Sequence, residues 1–572
     1  MWKIQDEITI VLCGAAGQGI QTVEDGLVAV SKKSGYHVFS SREYMSRVRG
    51  GVNSTSIRIA SKPVRAFVDR VDILMPLTEQ AIQHVKDRLT SKSVLIGEET
   101  YLNSSECGDC PKIEISYQDI AKEIGNVQYS NIVSLGVMSG IIDADEDAMH
   151  ACIANLFPKK GEQIIQDNVR AADEGFKVAK SWIEEDKLPG VEIAKDPTIK
   201  DNLVLDGTDA TALGALAGGC NFETFYPMSP STGIATYLAQ KALDFSLIVD
   251  QSEDEISAMN KSIGASFAGA RAMVTTSGGG FSLMNEGLSL CGATELPLVI
   301  VVGQRPGPAT GMPTRTEQGE LEHVLYAGSG EFPRVIFAPG TIEDEFYLTQ
   351  NAFNIAEKYQ VPVFLLPDQY IIDASYDIPS LALDDLKVEK HFIKTSEGYI
   401  RYEFTETGIS PRGIPGHGEG LTIADGHTHS EDGHITEDPI IRSKMVEKYC
   451  KKLDQLKKDV IPPELSGNPD YKTLVIGWGS TYYPILEALE RIGKNDVAFL
   501  HFKQVYPVHE SAIEYLQKAD RRIIIENNSN AQFGNLLQLE TGIKMDARIL
   551  KYSGYCFSVE EITEKLAVIL EE

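Results

Sequence analysis

The sequence predicts an α/β protein built from several units, each with a largely parallel β-sheet. Three observations support this fold class. The chain has 572 residues, too many for one hydrophobic core. Short apolar runs rich in β-branched residues alternate with helix-like segments, the pattern of parallel strands joined by crossover helices. Hydrophobic residues make up 42% and charged residues 24% of the chain, as in an ordinary globular protein.

The predicted units follow one another along the chain. We expect a first α/β unit over residues 1–190, a polar linker over residues 191–203 and a second α/β unit over residues 204–378. Residues 379–470 are rich in glycine, proline, histidine and acids, which predicts a long connecting loop region. Residues 471–572 again alternate apolar runs with helical patterns and predict a third α/β unit.

The charge of the chain excludes some functions. The formal net charge is −29, which disfavours nucleic acid as a partner because phosphate binding needs a basic surface. No apolar stretch is long enough for a membrane span, and the N-terminal segment lacks the pattern of an export signal. We therefore expect a cytoplasmic protein that does not bind membranes.

Metal ligands are sparse in the sequence. Of the eight cysteines, only Cys107 and Cys110 have a CxxC spacing, whereas an iron–sulfur cluster or zinc site usually needs four ligands. This pair is therefore interpreted either as two loop cysteines or as a weak redox pair. The histidines of residues 417–434 could hint at a metal, but the turns and caps of a solvated loop explain them better. We predict no metal site in this chain.

A strand, a glycine turn and a helix open the first unit. The apolar run EITIVLCG ends in residues 14–19, GAAGQG, and a helical pattern follows, which is the arrangement that cradles phosphates. The glycine order is GxxGxG, and the next strand, YHVFSS, brings no acid to hold a ribose, so an NAD site is not expected. Anion binding and a tight packing turn both remain open.

The second unit carries clustered hydroxyls and acids. The loop YPMSPST, residues 226–232, precedes a helix, and its hydroxyls can cap that helix and contact a ligand. Glu253, Asp254 and Glu255 begin the next helix, where the helix dipole favours acids. Dipole compensation accounts for two of them. The third could be a working carboxylate that points into a cleft.

Arg305 lies at the end of the apolar run PLVIVVGQ, at the start of a loop rich in glycine, proline and threonine. Ligands of parallel sheets bind beyond the carboxyl ends of the strands, and a guanidinium there suits a carboxylate. Thr310 and Thr314 add hydroxyls to the same loop. A salt-bridge partner is the alternative, but the loop composition favours anion binding.

These motifs resemble those of 2-oxoacid:ferredoxin oxidoreductases. YPMSPST, QSEDEISAMNKSIGASFAGARAM, TSGGGFSLM and GQRPGPATGMPTRTEQGEL are similar to the thiamine-diphosphate pyrimidine-binding domain of the α subunits. GAAGQGI and SREYMSRVRGGVNS resemble the γ domain of the family, fused ahead of α. TLVIGWGS and ENNSNAQFGNLL resemble its transketolase C-terminal-like domain. The resemblance covers nearly the whole chain and is nearest to the bacterial 2-oxoglutarate type.

The resemblance implies roles for particular residues. Glu255 matches the glutamate that hydrogen-bonds the aminopyrimidine ring of thiamine diphosphate and so promotes loss of the thiazolium C2 proton. Arg305 and Thr314 match the pair that binds the 2-oxoacid carboxylate. Ser229 stands where the family usually has threonine in a YPITP motif, and together with Pro230 it would contact the cofactor. The Ser229 hydroxyl would also contact the substrate.

An activity and a set of partners are also implied. The reaction would be the oxidative decarboxylation of a 2-oxoacid, expected to be 2-oxoglutarate, with coenzyme A, to acyl-CoA, CO2 and reduced ferredoxin. The chain lacks the GDG motif that grips metal and diphosphate and lacks cluster cysteines. Mg2+ and a 4Fe-4S cluster would therefore lie on a β subunit that shares thiamine diphosphate, in an (αβ)2 assembly. Arg47, Arg49 and Lys32 could contact coenzyme A phosphates or be solvated surface charges.

Three other functions stay open. The same chemistry could act on pyruvate or another 2-oxoacid. A non-redox thiamine enzyme of the transketolase or decarboxylase kind would share the glutamate but would not need a γ-like domain. A non-catalytic nucleotide-binding module could use GAAGQG alone.

Overall fold

The computed structural model describes residues 3–45, 51–105, 107–157 and 161–571. The chain divides into two compact units. Unit 1 comprises Met1–Leu205 and Asp373–Leu381, and unit 2 comprises Asp206–Ile372 and Ala382–Glu572. Among the helices of the described ranges, none has the length and apolar character that crossing a membrane requires.

Unit 1 contains the first nine strands and seven helices of the chain. The strands are β1 (Ile4–Gln5), β2 (Glu7–Ala15), β3 (His37–Glu43), β4 (Val52–Ala60), β5 (Ile73–Pro76), β6 (Val94–Gly97), β7 (Lys112–Glu114), β8 (Val191–Glu192) and β9 (Leu203–Asp206). The helices are α1 (Ile20–Lys33), α2 (Ala81–His84), α3 (Glu99–Leu102), α4 (Tyr117–Ile124), α5 (Ser130–Ile141), α6 (Glu146–Leu156) and α7 (Glu162–Glu184).

Unit 2 begins with alternating helices and strands, as the sequence pattern predicts. These are α8 (Gly207–Ala217), β10 (Phe222–Phe225), α9 (Thr232–Lys241), β11 (Ile248–Gln251), α10 (Glu255–Phe267), β12 (Ala272–Ser277), α11 (Gly278–Phe281), α12 (Asn285–Ala293), β13 (Leu298–Gly303), α13 (Leu321–Tyr326), β14 (Val335–Phe337), α14 (Ile342–Tyr359), β15 (Pro362–Leu365) and α15 (Gln369–Asp373).

The chain then forms β16 (Ser375–Ile378) in unit 1 and completes unit 2. The remaining elements of unit 2 are β17 (Phe392–Thr395), β18 (Arg412–Gly418), α16 (Pro439–Leu456), β19 (Glu464–Gly467), β20 (Thr473–Trp478), α17 (Tyr482–Ile492), β21 (Val497–Phe502), β22 (Gln504–Tyr506), α18 (Ala512–Lys518), β23 (Arg521–Glu526), α19 (Gln532–Thr541), β24 (Ala547–Leu550) and α20 (Val559–Glu571).

The sheets confirm the predicted α/β class. In unit 2, a seven-stranded sheet has the order β11-β10-β12-β13-β15-β14-β22, and only β22 is antiparallel to its neighbour. A five-stranded sheet has the order β19-β21-β20-β23-β24, again with one antiparallel edge strand, β19. The main sheet of unit 1 is instead mixed, because β2 pairs antiparallel with β4 and parallel with β5.

Strand β16 joins the sheet of unit 1, although the sequence predicts that residues up to 378 belong to the second α/β unit. It pairs antiparallel with β3. Asp377 holds it there, since its carboxylate contacts His37 Nδ1 at 2.9 Å and accepts a hydrogen bond from Asn202 at 2.8 Å. A strand whose partner lies more than 300 residues away leaves no local sequence signal.

Helix α16 lies within residues 379–470, where the sequence predicts a connecting loop region. Asp438 caps its first turn by accepting from the N–H of Ile440 at 2.7 Å, and Pro439 follows at the first helical position. Lys448 and Lys452 on this helix are buried and both bind the buried carboxylate of Glu295. The helix is therefore anchored by charges rather than by an apolar stripe alone.

Candidate active site

The predicted site residues of unit 2 lie at one edge of the seven-stranded sheet. Strands β11, β10, β12 and β13 are parallel neighbours, so their carboxyl ends lie side by side. The loop YPMSPST follows β10, Glu255 follows β11, and Arg305 follows β13. The triglycine segment, Gly278–Gly280, follows β12 and lies between them. This is where ligands of parallel sheets bind.

The three acids at the start of α10 have separate roles. Asp254 is the N-cap, and its side chain accepts from the N–H of Ser257 at 2.7 Å. Glu253 is exposed and pairs with Lys261 at 3.3 Å. Glu255 is only 6% exposed. Asp254 therefore serves the helix end and Glu253 the surface, whereas Glu255 faces inward.

The Glu255 carboxylate lies against the triglycine segment. A Cβ added to Gly280 would be 2.8 Å from Glu255 Oε1 and 2.4 Å from Thr276 Oγ1, so only glycine fits there. Within the part of the chain that the structure describes, the carboxylate has no hydrogen-bond or ion-pair partner. A carboxylate without a partner in the described chain can accept a hydrogen bond from a donor supplied from outside the chain.

Arg305 is also nearly buried, with 5% of its surface exposed. Its Nη1 donates to the carbonyl oxygen of Ser229 at 2.6 Å, and its Nε has no hydrogen-bond partner among the described residues. Burial lowers the pKa of the guanidinium, and the neighbouring Glu320 carboxyl raises it. A fixed guanidinium with an unused N–H is suited to bind a carboxylate.

The other predicted residues lie on the same loops. Ser229 has an exposed side chain, and its carbonyl fixes Arg305. Pro230 is buried and would contact a Cβ at Gly303 at 3.0 Å. Thr314 is 8% exposed on the loop that starts at Arg305. The structure therefore brings Ser229, Pro230, Glu255 and Arg305 to one edge of one sheet, and Thr314 lies further along the loop that starts at Arg305.

The C-terminal motifs hold the loop that carries Arg305. Gln318 is fully buried and donates through its side chain to Trp478 O at 2.8 Å. Its Oε1 accepts from the backbone N–H of Asn527 at 2.9 Å, and its backbone N–H donates to Asn527 O at 2.6 Å. Asn528 Nδ2 donates to Gln318 O at 3.1 Å. The motifs TLVIGWGS and ENNSN therefore hold the Arg305 loop in position but are not themselves part of the site.

Sequence reasoning missed Glu320. It is 8% exposed, and burial, with the nearby acids Glu317 and Asp368, raises the pKa of its carboxyl to about 8 against the pull of Arg305. Its sequence signal was an acid in the loop TEQGEL. Only the packing of that loop on the triglycine segment shows that this acid is enclosed.

The rim of the site is open and partly apolar. Four large side chains on its loops or beside Glu255 are exposed: Tyr226, Ile256, Leu283 and Met312. Residues 307–312 are exposed as well. Exposed apolar side chains on the loops of a polar site are typical of a surface that another protein covers.

Of the predicted coenzyme A residues, only Lys32 lies among the residues that the structure describes. Arg47 and Arg49 lie outside the described residues. Lys32 is in the last turn of α1, about 20 Å along the helix from the turn of residues 14–19. Its Nζ donates to Asn202 O at 2.5 Å, so it serves the backbone of unit 1.

The histidines of residues 417–434 make local contacts. His427 pairs with Asp425 at 2.6 Å, and His434 pairs with Asp432 at 3.1 Å. His429 stacks on Tyr402 with ring centroids 4.1 Å apart. Among the described residues, no cluster of three or more histidine, cysteine or acidic side chains is arranged to hold a metal ion.

Comparisons with known proteins identify the family of the chain. Residues 213–448 match the family described as the thiamine-diphosphate-binding domain of pyruvate flavodoxin/ferredoxin oxidoreductase, and residues 9–178 match the pyruvate ferredoxin/flavodoxin oxidoreductase family. A 2-oxoacid:ferredoxin oxidoreductase subunit alpha of Sulfolobus sp. is 30% identical over 98% of this chain and 97% of its own length.

Two further relatives carry more specific names. The 2-oxoglutarate oxidoreductase subunit KorA of Mycobacterium tuberculosis is 28% identical over 97% of this chain and 90% of its own. A solved 2-oxoglutarate:ferredoxin oxidoreductase from Magnetococcus marinus superposes with a TM-score of 0.92 and 28% identity, covering 98% of this chain and 99% of that one. The resemblance in the motifs is therefore confirmed, and the chain belongs to the family of 2-oxoacid:ferredoxin oxidoreductase α subunits.

Proposed function

We propose that this chain, with a β subunit, oxidatively decarboxylates 2-oxoglutarate with coenzyme A and passes the electrons to ferredoxin. The observation that carries the proposal is the placement of Glu255 and Arg305 at the ends of parallel strands, with the triglycine segment between them. Two comparisons support the choice of substrate. One relative is named a 2-oxoglutarate oxidoreductase, and the Magnetococcus marinus structure has 2-oxoglutarate, coenzyme A and succinyl-CoA bound.

Glu255 would hold the aminopyrimidine ring of thiamine diphosphate. The fit rests on a buried carboxylate that lacks a partner in the described chain and on a glycine backbone at Gly280 that leaves room beside it. Thiamine diphosphate, when bound, supplies the electron sink that lets CO2 leave. The chain contributes the acceptor that keeps the ring oriented and the proton at a defined position.

Arg305 would bind the carboxylate of the 2-oxoacid, with the hydroxyls of Thr314 and Ser229 nearby on their loops. Its Nη1 is already fixed by Ser229 O, so little side-chain freedom is lost when a substrate binds. The surrounding burial strengthens the attraction between the guanidinium and the carboxylate.

A β subunit would supply what the sequence of this chain lacks. Neither a GDG motif for metal and diphosphate nor a set of cluster cysteines is present, and the site is open at an apolar rim. We infer that the partner covers this rim, carries Mg2+ and the 4Fe-4S cluster, and forms an (αβ)2 assembly that reduces ferredoxin.

The direct test is to purify the chain with its β partner and measure reduction of a viologen dye. We expect 2-oxoglutarate and coenzyme A together to give dye reduction and succinyl-CoA, identified by mass. Faster turnover of pyruvate would move the assignment to that substrate. Decarboxylation without dye reduction or an iron–sulfur absorption band would favour a non-redox thiamine enzyme. No turnover of any 2-oxoacid would refute the proposal.

Replacing Arg305 tests substrate binding. We expect Arg305→Ala to raise the KM for the 2-oxoacid by a factor on the order of 100, since a charge-assisted bond in a buried site is worth about 2–3 kcal/mol. The KM of Arg305→Lys should lie between those of wild type and Arg305→Ala, because lysine keeps the positive charge but loses the planar guanidinium fork. Steady-state kinetics of the complex give KM and kcat separately. An unchanged KM in both variants would remove Arg305 from this role.

A second variant tests coenzyme A binding in the γ-like domain expected over residues 1–190. We propose that Arg47 and Arg49 contact the coenzyme A phosphates, while Lys32 is occupied by Asn202 O. Arg47→Ala with Arg49→Ala should raise the KM for coenzyme A about tenfold and leave that for the 2-oxoacid unchanged. Lys62→Ala, an exposed lysine of the same unit, is the control. Equal effects on both substrates would contradict the assignment.

A further inference from the structure

Glu320 lies at the base of the loop that carries Arg305, just before α13. Its carboxyl packs on the triglycine segment, since a Cβ at Gly278 would be 2.3 Å from Glu320 Oε1 and 2.7 Å from its Cγ. Glu255 packs on the same segment at Gly280. The two acids therefore flank one short stretch of backbone at the candidate site.

Glu320 is tied to Arg305 through the backbone. Its N–H donates to Gln304 Oε1 at 3.3 Å, and its carboxyl lies beside the backbone N–H of Arg305. Its Oε2 is buried and has no hydrogen-bond partner among the described residues, and the same holds for Arg305 Nε. The two side chains are neighbours that do not form an ion pair in the described structure.

The surroundings disfavour a charge on Glu320. Burial is the largest influence on its pKa, and the nearby acids Glu317 and Asp368 raise it further. Arg305 acts in the opposite direction through its charge and its backbone N–H. The balance places the pKa at about 8, well above that of an ordinary carboxyl, so the group carries a proton at neutral pH.

We propose that Glu320 is a positioning residue for 2-oxoacid binding: as an uncharged acid enclosed beside the Arg305 loop, it leaves the guanidinium free for the substrate carboxylate. An ionised Glu320 would instead attract the guanidinium and compete with the substrate for it. The inference rests on the proposed function, because it concerns the site that binds the 2-oxoacid.

A purely structural role makes a different prediction. If Glu320 only filled space beside the Arg305 loop, its protonation state would have no effect on substrate binding. Glu320→Gln keeps the shape and an oxygen acceptor but cannot ionise, so it separates the two roles.

The test is the pH dependence of KM and kcat for 2-oxoglutarate in the α–β complex. At pH 7 we expect wild type and Glu320→Gln to have similar KM values. Near pH 9, about one pH unit above the pKa, only about one wild-type molecule in eleven keeps a neutral Glu320. The wild-type KM at that pH should therefore be about tenfold higher than the KM of Glu320→Gln. The kcat values should stay similar. Parallel KM profiles for the two proteins would overturn the proposal.

Controls separate this inference from the proposed function. Glu286→Gln changes an exposed acid of the same unit and should keep the wild-type profile, whereas a profile matching that of Glu320→Gln would count against Glu320. Comparison at equal pH cancels the ionisation of coenzyme A. Wild type that turns over no 2-oxoacid at pH 7 defeats the proposed function. Active wild type with parallel profiles defeats only the role of Glu320.

A spectroscopic measurement does not depend on turnover. The infrared difference between wild-type and Glu320→Gln complexes should show the C=O band of a protonated carboxyl at pH 7, and that band should fade as the pH rises past 8 to 9. Absence of the band at pH 7 would mean that Glu320 is ionised there and would overturn the proposal.

Discussion

The complex that contains Glu255→Gln should lose nearly all turnover while the chain still folds. Glutamine keeps the size of the side chain but cannot act as a negatively charged acceptor, so the aminopyrimidine ring would lose the group that promotes proton transfer. Positioned acid–base groups contribute typically 10²–10⁴-fold, and we expect a loss in this range. Viologen reduction with 2-oxoglutarate and coenzyme A measures it.

The matched control for Glu255→Gln is Glu253→Gln. Both residues lie at the start of helix α10, but Glu253 is exposed and pairs with Lys261, whereas Glu255 is buried against Gly280. Glu253→Gln should keep wild-type turnover. The melting temperature of each variant tests folding. Turnover of Glu255→Gln within a few-fold of wild type would show that this carboxylate does not serve the cofactor.

The reason that sequence found Glu255 and Arg305 is geometric. Arg305 follows the buried strand β13 and Glu255 follows the short strand β11, and parallel neighbouring strands bring the positions after their carboxyl ends to one edge of a sheet. The motif resemblance then supplied their roles. Local patterns were sufficient because the signal for each residue lies within about ten positions of it.

The residues that sequence missed depend on distant packing. Glu320 is one acid among several in its loop, and only its contact with Gly278 shows that it is enclosed. Lys32 looks like an available surface charge until the fold places Asn202 O beside it. Strand β16 lies in a sheet whose other strands precede it by well over 150 residues. None of these contacts has a local period or motif.

The second large expected effect is on stability rather than activity, and it comes from replacing Glu295, which lies in a buried cluster together with Lys448, Lys452 and Arg401. The carboxylate of Glu295 binds Lys448 Nζ at 2.5 Å and Lys452 Nζ, and Arg401 donates to its backbone oxygen at 2.8 Å. Burial raises the pKa of Glu295, but Lys452, Lys448 and Arg401 outweigh it and hold the pKa well below its usual range. Among the described residues, the Glu295 carboxylate is therefore the acid that compensates these two buried ammonium groups.

Replacing Glu295 with alanine should destabilise the full chain by about 3–5 kcal/mol, because two lysines would remain buried without their counter-charge. The melting temperature, measured by calorimetry, should fall by roughly 5 °C or more. Glu253→Ala breaks the exposed pair with Lys261 and should change the melting temperature little.

A combined variant separates the charge effect from lost packing. Glu295→Leu with Lys448→Met and Lys452→Met removes all three charges and keeps similar side-chain volume. Buried ion pairs can often be exchanged for apolar groups at little cost, so this variant should recover most of the stability that Glu295→Ala loses. If the triple variant were as unstable as Glu295→Ala, packing around α16 rather than an uncompensated charge would explain the loss. If Glu295→Ala melted like wild type, the cluster would not anchor α16 at all.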